Sequence, residues 1–218
     1  MGKRVKESIY SDLRKAIIFG KLGPGERLIE IQLSQQYNCS RGPIREALSK
    51  LAQEGFVEIF PNRGASVAKI SSEEVADYYS LLALLEGKAV EWATPNLNQK
   101  DFALLDHIQK LLHQSLDKEE DLRMRLWSEH NRSFHQVFWV RCGNRKLRDT
   151  VEDIRQQIFR FRYTSLMVAS YNDYYKDHEE IIAAAKAGNA EEAGRAMVRH
   201  IERAKQVLND FFTTVPTF

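Results

Sequence analysis

The chain has 218 residues and two cysteines, which are too few for a disulfide framework. It contains no apolar run near the ~18 residues of a membrane span and no signal-peptide core at its start, so we expect a cytoplasmic protein without a membrane segment. Residues 1–70 carry twelve Lys and Arg against seven Asp and Glu, a net charge of +5. Residues 71–218 carry twenty and twenty-three, a net charge of −3. This asymmetry favours a polyanionic partner for the first third only.

The first third is predicted to begin with two helices. Apolar residues recur at helical spacing over 6–19, and a stretch with three glycines and a proline then breaks the pattern. A short second helix is expected over 28–37, followed by a tight turn at Asn38 and Cys39. The helix over 28–37 and the basic helix that follows this turn have the arrangement of a helix-turn-helix. In that motif the second helix of the pair enters the DNA groove, so its outward side chains are the candidates for DNA contact.

That next helix is predicted over 40–54, with Ser40 as its N-terminal cap. Arg41 and Arg45 are four residues apart and share the outward face. Guanidinium forks match guanine edges and phosphates, and a serine hydroxyl suits a phosphate. The outward face therefore favours the DNA major groove, although an ordinary solvated helix face is the alternative. The opposite, inward stripe consists of Ile44, Ala47, Leu48 and Leu51.

Two β-prone runs, 56–60 and 65–69, flank a turn of sequence PNRG and predict a β-hairpin. Arg63 is expected at its tip. After a helix-turn-helix, such a hairpin would be a wing whose arginine can reach a phosphate or the minor groove. A plain hairpin with a solvated arginine is the alternative.

The run from Tyr10 to Val67 resembles the N-terminal domain of the GntR family of bacterial transcription regulators, through GKLGPGERLIE, SRGPIREALSKLAQEGFVEI and PNRGASV. The resemblance implies a winged helix that binds a short palindromic operator in double-stranded DNA as a homodimer. Many members carry an arginine that contacts DNA where this chain has Ile31. The family's DNA-contacting positions correspond to Ser40, Arg41, Gly42 and Arg45 on the third helix and to Arg63 and Gly64 in the wing.

Ser71 and Ser72 are predicted to end the wing and to cap the next helix. The remainder of the chain shows helical patterning and no convincing strand. Short connections between the predicted helices indicate an antiparallel bundle. The predicted fold is therefore mainly α, with a winged helix-turn-helix of three helices plus a hairpin over 1–71 and an all-α bundle over 72–218. The six bundle helices are predicted over 72–93, 98–116, 119–140, 144–163, 172–187 and 189–212.

The second region resembles the FCD domain, the helical effector-binding and dimerisation module of the FadR subfamily. The matching stretches are LLALLEGKAVEWA, NRSFHQVFWVRCGNRKL and DHEEIIAAAKAGNAEEAGRAMVRH. The resemblance implies a small carboxylic acid as effector. Many members place an arginine four residues before the glutamate of the first stretch, and this chain has Leu82 there, before Glu86. Arg155, Arg160 and Arg162 offer positive charge from a neighbouring helix, although three arginines on one helix more often form a solvated face.

His135, His178 and His200 fall on or beside the inward stripes of three different helices. Neutral imidazoles suit transition metals, and a bundle core is a usual place to hold one. Satisfied polar residues of a core or effector pocket are the alternative. In metal-binding FCD proteins an Asp lies one turn before the first histidine, so the resemblance implies the ligand set Asn131, His135, His178 and His200, with Asn in place of that Asp. The implied metal is a divalent transition metal, with Zn or Ni favoured.

These features predict a DNA-binding transcription regulator whose operator affinity is controlled by a small-molecule effector. Family habit favours repression over activation. We do not expect an enzyme, because no carboxylate near the three histidines has an evident general-base role and a DNA-binding domain is attached. A metal-dependent enzyme and a direct metal sensor are the alternatives. His107 and His113 are expected at the surface, and His130 at the surface or in packing.

Overall fold

The computed structural model describes residues 2–18, 21–61, 63–69, 72–158 and 170–214. It separates into two compact units, one formed by residues up to Glu74 together with those from Asp210, the other by Val75–Asn209. None of the described helices is both long and apolar enough to cross a membrane. The helices are α1 Gly2–Ile18, α2 Glu30–Gln36, α3 Arg41–Gln53, α4 Ser72–Ala93, α5 Gln99–Ser115, α6 Glu120–Arg141, α7 Arg145–Gln157, α8 Tyr171–Lys186 and α9 Ala190–Thr214, with a 3₁₀ turn at Thr94–Asn96.

In the first unit, α1 and α2 both pack against α3. Asn38, with φ +46°, makes the tight turn between α2 and α3, and Gly55, with φ +78°, lets the chain turn sharply after α3. The predicted inward stripe of α3 is buried throughout. The unit therefore has the three helices that the sequence predicts, around a core that α1 completes with Ile9, Leu13 and Ile17.

The wing is a three-stranded antiparallel sheet, one strand more than predicted. Strands β1 Arg27–Leu28, β2 Val57–Phe60 and β3 Gly64–Val67 lie in the order β1-β3-β2. Leu28 was predicted to begin the second helix, but it pairs with Ala65 of β3 and is buried, so α2 begins only at Glu30. Two residues are too short a strand to leave an alternating pattern in the sequence.

The second unit is all helical in its described residues, as predicted. Its predicted helix ends agree within two residues with the observed ones, apart from 144–163, whose last residues lie outside the described part. Arg160 and Arg162 also lie there. Asn189 caps α9 by accepting a hydrogen bond of 3.1 Å from the amide of Glu192. The mainly α fold with a small winged sheet is therefore confirmed.

Candidate functional site

The first candidate site is a concavity of the first unit with a volume of about 610 Å³. Its lining comes from the N-terminal part of α2, from the outward face of α3 and from the wing. All six side chains or glycines predicted to contact DNA are exposed. The residues of the predicted set that line the concavity are Arg41, Arg45, Arg63 and Gly64, and Arg27 adds a further cation.

Glu30 holds both arginines of α3. Its Oε2 accepts hydrogen bonds from Nη2 of Arg41 at 2.6 Å and from Nε of Arg45 at 2.9 Å. These hydrogen bonds hold the pKa of the Glu30 carboxyl below its usual range. The pairs are solvent-exposed, so they contribute little to stability, but they restrict the orientation of two side chains that the sequence singles out.

The predicted cap at Ser40 was wrong in one respect. The backbone of Ser40 has the extended conformation of a cap, but its side chain makes no capping hydrogen bond. At an exposed helix start, water can satisfy the amides instead. The Ser40 side chain lies at the surface.

The second candidate site is the histidine cluster in the second unit. His135 on α6, His178 on α8 and His200 on α9 are all buried. Their ligand-capable nitrogen atoms lie within 4.8 Å of one another. A metal bound at 2.0–2.1 Å by each imidazole needs nitrogens about 3.3 Å apart, so modest ring movements would close the set. His107 and His113 are exposed, as predicted, and His130 is half-buried.

Each histidine of the cluster has its Nδ1 beside an oxygen of another side chain. The partner of His135 is Glu86 Oε2 at 2.5 Å, that of His178 is Gln109 Oε1 at 3.2 Å, and that of His200 is Asp177 Oδ2 at 3.3 Å. An amide oxygen can only accept, so Nδ1 of His178 carries the proton and donates. A hydrogen bond between one ring nitrogen and an oxygen of the protein is how metal-binding histidines are usually oriented.

His178 fits a metal ligand most closely. Burial, with the nearby charges of His200, His135 and Arg155, lowers its pKa well below the usual range, so its imidazole is neutral at physiological pH. Its Nε2 is buried and has no hydrogen-bond partner among the described residues. A buried acceptor without a partner is costly, and a metal or a ligand donor would remove that cost.

Of the two environments that the sequence left open for Arg155, a solvated helix face and a position facing the expected effector site, the structure shows the second. Arg155 is buried, and its Nε donates to Glu86 Oε1 at 2.5 Å. Burial raises the pKa of the Glu86 carboxyl, and the Arg155 guanidinium opposes that rise. Sequence reasoning missed this pair because its partners are 69 residues apart. The sequence did contain one sign of a buried ion pair, because Glu86 lies on the apolar stripe of α4 and a buried carboxylate there needs a partner.

A cavity of about 50 Å³ lies beside the histidines. Asn131 is half-buried and lines it together with His135 and His200. Leu82, at the position of the family's arginine, is also in the wall. The indole N–H of Trp127, another wall residue, is buried without a hydrogen-bond partner in the described part of the chain. The cavity thus combines apolar walls with a few polar groups, as small-molecule sites do.

Comparison with known proteins places both units in described families. Residues 5–67 match the family of bacterial regulatory proteins named gntR, and residues 77–203 match the FCD domain. The chain is 28% identical over 203 residues to the HTH-type transcriptional repressor RspR of Escherichia coli, covering 93% of this chain and 88% of that protein. It is also 28% identical to the HTH-type transcriptional repressor GlaR of Escherichia coli over 200 residues, covering 88% and 90%.

Solved structures agree with the fold. Escherichia coli McbR/YncC superposes with a TM-score of 0.63 at 22% identity, covering 94% of this chain and 97% of that one. A GntR family transcriptional regulator from Pseudomonas syringae pv. tomato reaches 0.55 at 26% identity, covering 98% and 88%. The observed winged helix and helical unit agree with the two families that the chain matches. The chain therefore belongs to the gntR family of bacterial transcription regulators that carry an FCD domain.

Proposed function

We propose that this regulator is a repressor, that it binds a short palindromic operator as a homodimer, and that an effector bound in its second unit releases it. The observation that carries the DNA-binding part is the concavity in which Arg41, Arg45 and Arg63 are exposed together. Exposed arginines on one helix face and at a wing tip suit a major groove and its flanking phosphates.

The proposed DNA contacts divide between two elements. On α3, Arg41 and Arg45 read base edges or phosphates, while Ser40 and Gly42 let the start of the helix approach the backbone closely. In the wing, Arg63 and Gly64 contact the adjacent phosphates or the minor groove. The exposure of all six positions supports this assignment.

The test is operator binding by the full chain, using an operator selected from random DNA. Replacing Arg45→Ala removes one contact per protomer, worth ~1–3 kcal/mol, and a symmetric dimer loses it twice. Arg145→Ala is the matched control, because it removes the same charge from an exposed side chain of the second unit. Equal affinities of the two variants in a gel-shift titration at fixed salt would contradict the proposal.

We further propose that the second unit holds a divalent transition metal, Zn or Ni, through His135, His178 and His200, with Asn131 as a neutral fourth partner. The three buried nitrogens and their Nδ1 partners support this. When bound, such a metal supplies a positive charge that attracts an oxygen of the effector. Elemental analysis after dialysis should find metal in the wild type and not in His178→Ala. His107→Ala, which changes an exposed histidine, should retain it.

The proposed effector is a small carboxylic acid bound in the cavity beside the histidines. Arg155 is the cationic side chain of the described lining, and Glu86 already neutralises it. The Trp127 N–H offers a donor to an effector oxygen. Release of operator DNA should be titrated with a set of small carboxylic acids, with and without added metal. Release by metal alone would favour the second candidate function, a direct metal sensor.

A further inference from the structure

Apolar side chains are exposed where a DNA-binding surface is expected to be polar. Ile29, Ile31, Ile59 and Phe60 are 45%, 55%, 51% and 44% exposed, and all four line the concavity that contains the arginines. Large exposed apolar groups that gather in one concavity usually mark an interaction site. The same concavity is also lined by one glutamate, Glu30, and by four arginines: Arg27, Arg41, Arg45 and Arg63. The excess of arginines favours a negatively charged partner.

We infer that Ile31 contacts the 5-methyl group of a thymine in the operator, so that each half-site carries an A·T pair at the position facing the start of α2. Of the groups that base pairs display in the major groove, the thymine methyl is the apolar one, and aliphatic side chains recognise it by contact. This inference rests on the proposed DNA-binding function.

The position of Ile31 supports this reading over a contact with another protein. Glu30, the residue before it, reaches both Arg41 and Arg45 of α3, so the start of α2 lies beside the outward face of the helix proposed to enter the groove. A protein seated on Ile31 would displace DNA from the same arginines. A nucleic acid is the partner that satisfies both the arginines and the isoleucine at once.

The contact also predicts a change of specificity. An arginine at position 31 would instead place a guanidinium group there, which can donate two hydrogen bonds to the major-groove edge of a guanine. Selection of operators from random DNA with the full chain should therefore recover thymine at one symmetric position for the wild type. With Ile31→Arg the same position should shift towards guanine.

The decisive experiment replaces each thymine of the selected operator by deoxyuracil, which removes only the methyl group and preserves base pairing. At one symmetric position the wild type should lose about fourfold in affinity per half-site, the equivalent of one buried methyl group, and about fifteenfold when both half-sites are changed. Ile31→Val keeps an aliphatic contact and should keep this sensitivity. Ile31→Ala should bind both operators alike.

Other outcomes overturn the inference in distinguishable ways. A deoxyuracil effect of equal size in wild type and Ile31→Ala would assign the methyl group to another residue. Weaker binding by Ile31→Ala without any deoxyuracil effect would place Ile31 against the sugar–phosphate backbone. In both cases specific operator binding, and with it the proposed function, would stand. If selection enriched no sequence at all, the proposed function and this inference would both fail.

Discussion

Glu86 Oε2 lies 2.5 Å from His135 Nδ1, with both side chains fully or almost fully buried. The other oxygen of Glu86 is held by Arg155, so α4, α6 and α7 meet at this carboxylate. A carboxylate that accepts from Nδ1 fixes the tautomer and the orientation of the ring and makes its other nitrogen a stronger ligand. Glu86 is therefore a positioning residue for the proposed metal site.

Glu86→Gln should lower metal affinity about 10- to 100-fold, since loss of such outer partners has effects of that size. The amide keeps the volume of the side chain but removes the charge that His135 and Arg155 face. Competition with a chromophoric chelator measures the affinity. Asp106→Asn, which neutralises an exposed aspartate paired with Lys186, is the matched control and should leave it unchanged.

Glu86→Gln also leaves Arg155 buried without a counter-ion, which can destabilise the fold. Asp177→Asn separates the effect on metal affinity from the effect on the stability of the fold. Asp177 faces His200 in the same way, and its second partner, Arg203, is half exposed and remains solvated. If Asp177→Asn lowers metal affinity and leaves the melting temperature unchanged, the lower affinity comes from the lost hydrogen bond to His200 and not from a destabilised fold. Unchanged metal affinity in both variants would contradict a metal on these rings.

Asn131→Asp should raise metal affinity above that of the wild type. Asn131 lines the cavity beside His135 and His200, and a carboxylate there would add a negative charge close to a dication. Such a charge has a larger effect in a poorly solvated site than in water. Metal content after dialysis compares the variants directly. Equal and negligible metal in wild type and Asn131→Asp would make the histidines polar residues of an effector pocket.

The sequence predicted the helices well because each carries its own periodicity and end signals, such as Asn189 and Gly188 between α8 and α9. It predicted the three buried histidines because helical spacing alone places them inward. Their convergence, and the partners Gln109 and Asp177, could not be predicted, since they depend on how separate helices pack.

Two arginine contacts that the sequence did not predict, those with Glu86 and with Glu30, have the same origin. Arg155 lies on a strongly charged helix and looks solvated until Glu86 is known to face it. The clamp of Glu30 on Arg41 joins residues 11 apart across a turn, which no periodic pattern reports. The residue types predicted which side chains are candidates for binding DNA or a metal. Which charged side chains pair with each other could be seen only in the structure.

Glu30→Gln should weaken discrimination between operator and random DNA. In the free protein the carboxylate pairs with both Arg41 and Arg45 and orients them, and it offsets one of their two charges. Removing its charge should raise affinity for random DNA and steepen the slope of log K against log salt by about one per protomer. The ratio of operator to random affinity should fall because the forks lose their fixed orientation. Fluorescence anisotropy over a salt series measures both.

The control for that variant is Glu191→Gln, which removes an equal charge from a glutamate paired with Arg195 on α9. It should leave the ratio and the slope unchanged. An increase in the operator-to-random ratio in Glu30→Gln would show instead that Glu30 only competes with DNA for the arginines.

Dimerisation should depend on the exposed face of α4. Leu81, Leu84 and Trp92 share that face and are 50%, 68% and 41% exposed. Apolar stripes of this kind on a helical unit suit a two-fold interface, and a palindromic operator requires a two-fold protein. Leu84→Glu should give a monomer in sedimentation at micromolar concentration, and residues 73–218 alone should form a dimer. Leu122→Glu on α6 is the control, and a dimeric Leu84→Glu would exclude this face.

Gly194→Ala should destabilise the second unit, against the usual preference of helices. Within a helix, replacing Gly by Ala normally stabilises by ~1 kcal/mol. Here the new Cβ would lie 2.8 Å from the carbonyl oxygen of Gly87 and 3.2 Å from Cβ of Glu91, because α4 and α9 cross at these glycines. Overpacking costs ~1–3 kcal/mol, so once the helix gain is subtracted a net loss of up to about 2 kcal/mol is expected. Gly42→Ala, whose Cβ would meet only Ser40 Oγ at 4.0 Å, should not lower the melting temperature. A higher melting temperature in Gly194→Ala would mean that the crossing relaxes without cost.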